Sequence, residues 1–213
     1  KMINIKIFVL NAFAVNSFVL SDESGECVII DPGCHSAQEK QILEEYVSSN
    51  NLTPVALINT HFHVDHILGN HFVCIKYNLQ PTGHEESRLF WETAHEFGSV
   101  FGLSIDEVRK PAIFVNDGEI LRFGNSQPEV RYTPGHANGS ICLVNHAQKF
   151  IVAGDVLFYG SIGRTDLPTG DFDLLMDSIE RKLFTLPDDY TVYPGHGPKT
   201  SIGFEKVSNP FIR

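Results

Sequence analysis

The chain has 213 residues, 42% hydrophobic and 20% charged, which excludes disorder and supports a substantial core. Its formal charge of −10 offers no basic field for a phosphate backbone, so nucleic acid is not expected as a partner. No apolar run approaches membrane-spanning length, and Lys1-Met2-Ile3-Asn4 lacks the apolar stretch of a signal peptide; no membrane association and a cytoplasmic location are expected.

In chain order, Ile3–Leu10, Asn16–Ser21 and Glu26–Ile30 are β-branched or aromatic and read as strands, the last running into the turn Asp31-Pro32-Gly33. Ser36–Ser49 carries Ile42, Leu43, Tyr46 and Val47 at helical spacing. A buried strand over Val55–Asn59 precedes a polar loop, a helix is expected from Ile67 to about Tyr77, and Pro81-Thr82-Gly83 breaks the pattern. Residues 85–115 read as a helical excursion over the sheet. Strands return at Glu129–Thr133, Ser140–Asn145 and Lys149–Ala153; Asp173–Leu183 is a helix with Leu174, Leu175, Ile179 and Leu183 on one face; Thr191–Tyr193 is a last strand, with a short helix after Thr200. Strands dominate both halves and no linker separates them. The expectation is one domain over residues 1–213, an α/β chain folded as a four-layer αββα sandwich. Cys27, Cys34, Cys74 and Cys142 show no C-x-x-C pairing and are expected as unpaired thiols.

The chemistry concentrates after strands. Thr60-His-Phe-His-Val-Asp-His sets His61, His63, Asp65 and His66 within six residues. Imidazole and carboxylate suit a borderline divalent metal, and four such groups on one loop can hardly all face a single ion, which suggests two metals side by side. Three further strands end in ligand-capable residues: His136 and His196, each after Pro-Gly, and Asp155 after Phe150–Gly154. A carboxylate just beyond a buried strand needs a partner, which a metal pair supplies. The glycines before these three residues would let backbone approach the ions or turn beside them. The other histidines (His35, His71, His84, His95, His146) lack this setting and are expected to be solvated or satisfied locally.

The order H-x-H-x-D-H, His, Asp, His resembles the metallo-β-lactamase superfamily. Within it the chain is similar to the glyoxalase II (hydroxyacylglutathione hydrolase) group, in its short single-domain bacterial form. The likeness runs from Asp31-Pro32-Gly33 through Gly154-Asp155-Val156-Leu157-Phe158 and Gly163-Arg164-Thr165-Asp166 to Pro194-Gly195-His196-Gly197-Pro198 and Asn209-Pro210-Phe211. Longer members of the group carry a carboxy-terminal helical domain that supplies much of their glutathione site.

The resemblance implies that His61, His63 and His136 hold one metal, that Asp65, His66 and His196 hold the other, and that Asp155 bridges them with a water or hydroxide. Zinc suits these ligands, which also accept iron or manganese. It implies hydrolysis of a small anionic thioester such as S-lactoylglutathione by attack of the bridging hydroxide, with Asp65 and Asp155 as catalytic carboxylates. A thiol's pKa of about 8.5 makes thiolate a leaving group that needs no general acid. Arg164 is a candidate anchor for a substrate carboxylate, with a salt bridge to Asp166 as the competing role. Phe90-Trp91 would either wall the cleft or fill the core.

Other readings share the scaffold. Persulfide dioxygenases have this fold and use one iron, for which His61, His136 and Asp155 would form the two-histidine, one-carboxylate set. A lactonase or phosphodiesterase could use the same metal pair. A β-lactamase fits less well because the glyoxalase motif, including Asp65, runs throughout, and a metal-binding interaction module would not need all seven ligands.

Overall fold

Side chains alternate across a strand, so a strand buried on both faces sends one apolar set between two sheets and the other beneath helices. The computed structural model describes residues 2–212. Its first half runs β1 (Asn4–Leu10), β2 (Val15–Ser21), β3 (Glu26–Ile30), α1 (Ala37–Ser49), β4 (Thr53–Ile58), α2 (Val64–Ile67), α3 (Asn70–Tyr77), β5 (Pro81–Gly83), α4 (Arg88–Val100) and β6 (Ile113–Phe114). These strands form a six-stranded sheet in sequence order. The second half runs β7 (Glu129–Tyr132), β8 (Ile141–Asn145), β9 (Phe150–Gly154), β10 (Leu157–Phe158), β11 (Ser161–Ile162), α5 (Phe172–Ser178), β12 (Thr191–Pro194), β13 (Thr200–Ser201) and α6 (Ile202–Ser208). Its sheet has the order β13-β12-β9-β8-β7, and β10-β11 is a separate hairpin.

Phe18 and Leu20 on β2 face the second sheet and meet Leu143 and Val152 there. Their neighbour Val19 points the other way, with Ile29 and Leu57, onto Leu43 of α1 and Val73 of α3. On the far side Ile151 and Val192 pack against Leu175, Ile179 and Leu183. Helix, sheet, sheet, helix is the αββα sandwich expected from the sequence. Each fully buried Leu, Ile or Phe contributes roughly 1.5–3 kcal/mol, so the sheet–sheet interface gives the loops at its edge a rigid base.

Local expectations changed in five places. The helix expected from Ile67 starts earlier, at Val64, and is broken at Gly69, whose N–H donates to Pro32 O at 2.7 Å. A Cβ at Gly69 would lie 2.3 Å from Cys34 Sγ, so the break follows from close packing of this turn on the 32–34 loop. Pro81–Gly83 is a buried strand paired in parallel with β4, because its backbone completes the sheet. The excursion is helical only through Val100 and returns as the edge strand β6. Beyond α5 the helix widens into a π-turn over Ile179–Leu183, and Leu174 is 38% exposed while Leu175, Ile179 and Leu183 line the core. The β10–β11 hairpin was not foreseen. All four cysteines are buried and free, as expected, and among the described residues no helix is long and apolar enough to cross a membrane.

Candidate metal centre

Parallel pairing brings the ligand-bearing loops together. β9 and β12 run parallel with Gly154 opposite Pro194, which sets Asp155 and His196 side by side as both strands end. β3 and β4 run parallel with Ile30 opposite Ile58, which sets Asp31 beside the 59–61 segment. Across the sandwich Ile141 N–H donates to Thr60 O at 2.8 Å, so the loop after β7 faces the loop after β4. Asn16 amide N–H groups reach Pro194 O and Gly197 O, both at 2.9 Å, and tie the last loop to β2.

All seven residues singled out from the sequence meet at this edge. The nitrogens of His61, His63 and His136 that face one another form one group, and Asp65, His66 and His196 form another, with ligand-capable atoms in each within 4.8 Å of one another. Asp155 stands between them. Its Oδ1 is 3.4 Å from His66 Nε2, and its Oδ2 is 3.7 Å from His136 Nε2 and 3.5 Å from His196 Nε2. Asp65 Oδ2 lies 3.1 Å from His196 Nε2. Asp65 and His66 sit in the short helix α2 rather than in a loop.

The imidazoles are held by their outer nitrogens. His136 Nδ1 lies 2.8 Å from Arg164 O and His196 Nδ1 lies 3.0 Å from Phe13 O; a carbonyl only accepts, so both nitrogens donate. His66 Nδ1 donates to Asp31 Oδ2 at 3.0 Å. Thr60 Oγ1 donates to the same carboxylate oxygen at 2.5 Å and is left to accept from His61 Nδ1 at 3.1 Å. Each of these rings therefore turns Nε2 inward, while His63 presents Nδ1, 2.9 Å from His136 Nε2.

Burial drives His61 well below its ordinary pKa and pushes His63 down to about 3, leaving both neutral with a free lone pair. Burial also lowers His136. Burial works to raise Asp65 and Asp155, but the surrounding imidazoles, His66 foremost with His196 at Asp65 and with His61 and His136 at Asp155, together outweigh it and hold both carboxyls below their usual range. For His66 burial opposes the proton, yet Asp155, Asp65 and Asp31 together shift it upward. Such a concentration of carboxylates around one buried imidazole is what a divalent cation neutralises. His61 Nε2, His66 Nε2 and Asp155 Oδ1 are buried without a hydrogen-bond partner, an arrangement that costs free energy unless a cation takes the lone pairs. The donor set and these orphaned atoms fit a metal, and a metal-binding site of the hydrolase type is present.

Glycine is needed at two positions. A Cβ at Gly195 would lie 2.1 Å from Asp155 Oδ1, and at Gly135, where φ is +125, a Cβ would lie 2.2 Å from Leu175 N. The remaining histidines lie outside both groups: His84 stacks on Tyr132, His146 bonds Tyr190 and Glu129, His35 bonds Ser104 O, His71 accepts from Arg109, and His95 is exposed. The guanidinium of Arg164 is taken up by Asp166 through two bonds of 2.7 Å. Phe90 lines the cavity beside the centre, whereas Trp91 packs on Phe62. Asp31 and Thr60 were missed. Asp31 follows a buried apolar strand just as Asp155 does, and that signal was masked by its turn-forming neighbours Pro32 and Gly33.

A sequence profile described as the Metallo-beta-lactamase superfamily matches residues 10–196. The chain is 37% identical over 211 residues to the hydroxyacylglutathione hydrolase GloC of Haemophilus influenzae, covering 98% of each. Among solved structures it is similar to the B3 metallo-beta-lactamase BLEG-1, with TM-score 0.90, 33% identity and coverage of 98% of this chain and 99% of that one. It is also similar to TTHA1623 in a di-iron-bound form, with TM-score 0.86, 30% identity and coverage of 97% and 100%. Profile, sandwich and the candidate ligands gathered at the ends of its strands agree: the chain belongs to the metallo-beta-lactamase superfamily.

Proposed function

We propose that this protein is a dinuclear metal-dependent thioester hydrolase of the hydroxyacylglutathione hydrolase kind, with zinc as its metal. The observation that carries the reading is Asp155, whose carboxylate lies within 3.7 Å of an imidazole nitrogen from each ligand group. The 37% identity to GloC, which bears that activity in its name, supports the substrate class. His61, His63 and His136 would hold one ion, Asp65, His66 and His196 the other, and Asp155 would be shared.

When bound, a divalent pair lowers the pKa of water toward about 7 and polarises a carbonyl. The chain's own groups do the rest. Asp65 lines the cavity and accepts a hydrogen bond from the attacking water, aiming it at the carbonyl carbon. Asp31, through His66, and Thr60, through His61, hold the ligand rings in the tautomer that keeps Nε2 free. The cavity of about 410 Å³ beside the centre has the size of a small-ligand site. No side chain is needed to protonate the leaving group, because a thiolate departs unaided.

The test is a hydrolysis panel on one preparation whose metal content is measured: S-lactoylglutathione and other acyl-thioesters, a lactone, a phosphodiester and nitrocefin. The β-lactam belongs there because BLEG-1, at 33% identity, is named a B3 metallo-beta-lactamase. Thioester turnover well above the other substrates, with two metals per chain, is expected. A fully metallated sample that turns over no thioester would falsify the proposal, and one iron with oxygen uptake on glutathione persulfide would replace it with a dioxygenase.

A further inference from the structure

The cavity runs from the metal centre to a wall built by α4 and the segment after it. Phe90 sets its ring edge-on to His63 with centroids 4.8 Å apart. Phe97, Phe101 and Leu103 continue the lining, and Phe13 meets Phe101 in an edge contact at 5.6 Å. Apart from the histidines and aspartates of the centre, the polar lining is Thr93, Ser161 and Arg164. The Thr93 hydroxyl already donates to Leu89 O at 2.7 Å. Arg164, whose backbone carbonyl holds His136, also lines the cavity, with its fork occupied by Asp166. Thr93 can therefore only accept, and beyond that single acceptor the aromatic wall offers a polar acyl group no donor and no unpaired cation.

We infer that the acyl group of the substrate is an extended apolar one, alkyl or aryl, seated against this wall, while the thiol portion leaves toward Ser161 and Arg164. The inference rests on the thioester reading, keeps its reaction, and puts an apolar acyl group in place of the hydroxyacyl one. A polar acyl chain laid against Phe97, Phe101 and Leu103 would lose its hydrogen bonds to water without replacement. An alkyl chain there gains about fourfold in kcat/KM for each methylene withdrawn from water.

The experiment holds the thiol constant and varies the acyl group through acetyl, butyryl, hexanoyl and phenylacetyl, with lactoyl as the polar comparison, using the metal-loaded protein. A rise of about fourfold per methylene, with hexanoyl and phenylacetyl above lactoyl, is expected. Phe97→Ala and the half-exposed Phe101→Ala should each reduce the hexanoyl-to-acetyl ratio. In parallel, calorimetry with ketone analogues, methylene replacing the thioester sulfur, reads the wall without turnover; the pentyl ketone should bind more tightly than the methyl ketone. Turnover that is flat or falls along the acyl series, or equal affinity for the two ketones, overturns the inference and leaves thioester hydrolysis standing. Absence of turnover for every thioester at full metal content overturns the hydrolase reading itself, and this inference with it.

Discussion

The side chains that touch the far side of each imidazole decide what the near side can do. Asp31 receives three bonds, from Thr60 N at 2.7 Å, Thr60 Oγ1 at 2.5 Å and His66 Nδ1 at 3.0 Å, and so sets the orientation of His66 directly and of His61 through Thr60. Outer partners of this kind are worth about 10–100-fold in metal affinity. Asp31→Ala is therefore expected to weaken metal binding by about 10–100-fold, read by competition with a chromophoric chelator, in a protein whose circular dichroism shows it folded. Unchanged affinity would remove Asp31 from the centre. The inner candidate ligands stood out in the sequence because three histidines and an aspartate within six residues are too dense for an ordinary surface loop. Asp31, Thr60 and the carbonyls of Phe13 and Arg164 were not. A carbonyl carries no sequence signal, and a single Asp before Pro-Gly looks like a turn residue.

Elements differ in how much of their identity is local. Helix α1 is written in its own residues: Ser36 accepts from Glu39 N–H while the Glu39 side chain accepts from Ser36 N–H, a reciprocal cap, and Leu43 and Val47 are buried. β5 and the β10–β11 hairpin are too short for any periodicity and exist because neighbouring backbone needs partners. The hairpin is held from outside by Glu205, a fully buried carboxylate on α6. It accepts from Gly160 N–H at 3.1 Å, Thr200 Oγ1 at 2.5 Å and Asn209 Nδ2 at 2.7 Å. Every partner is a donor, so an amide in its place must turn an NH₂ toward another donor. Glu205→Gln should lower stability by about 1–3 kcal/mol, measured from the shift in denaturant midpoint. A midpoint within error of the parent would show that the pocket accommodates the amide.

At the scale of the molecule, the first half supplies His61, His63, Asp65 and His66 and the second supplies His136, Asp155 and His196. An ion held between them ties the two sheets together at the edge where Ile141 N–H and Thr60 O already meet. A ligand at about a thousand times its Kd adds about 4 kcal/mol to folding stability. For a chain of this length that corresponds to roughly 10 °C. Chelation should therefore lower the thermal midpoint by about that amount, and restored zinc should recover it, as followed by scanning fluorimetry. Proven metal loss with an unmoved midpoint would mean that the ions bear no structural load.

By itself the sequence determined the strand-rich layers, the ligand types and their order, since burial on two faces and dense imidazole chemistry are both properties of neighbouring residues. Only the tertiary structure decided that Asp155 sits between two ligand groups, that Asp31 orients His66, that Asp166 occupies Arg164, and that Phe90 faces the cavity while Trp91 does not. Those outcomes depend on which strands pair in parallel and how α4 lies across the sheet edge, contacts between residues far apart in the chain that local pattern does not encode.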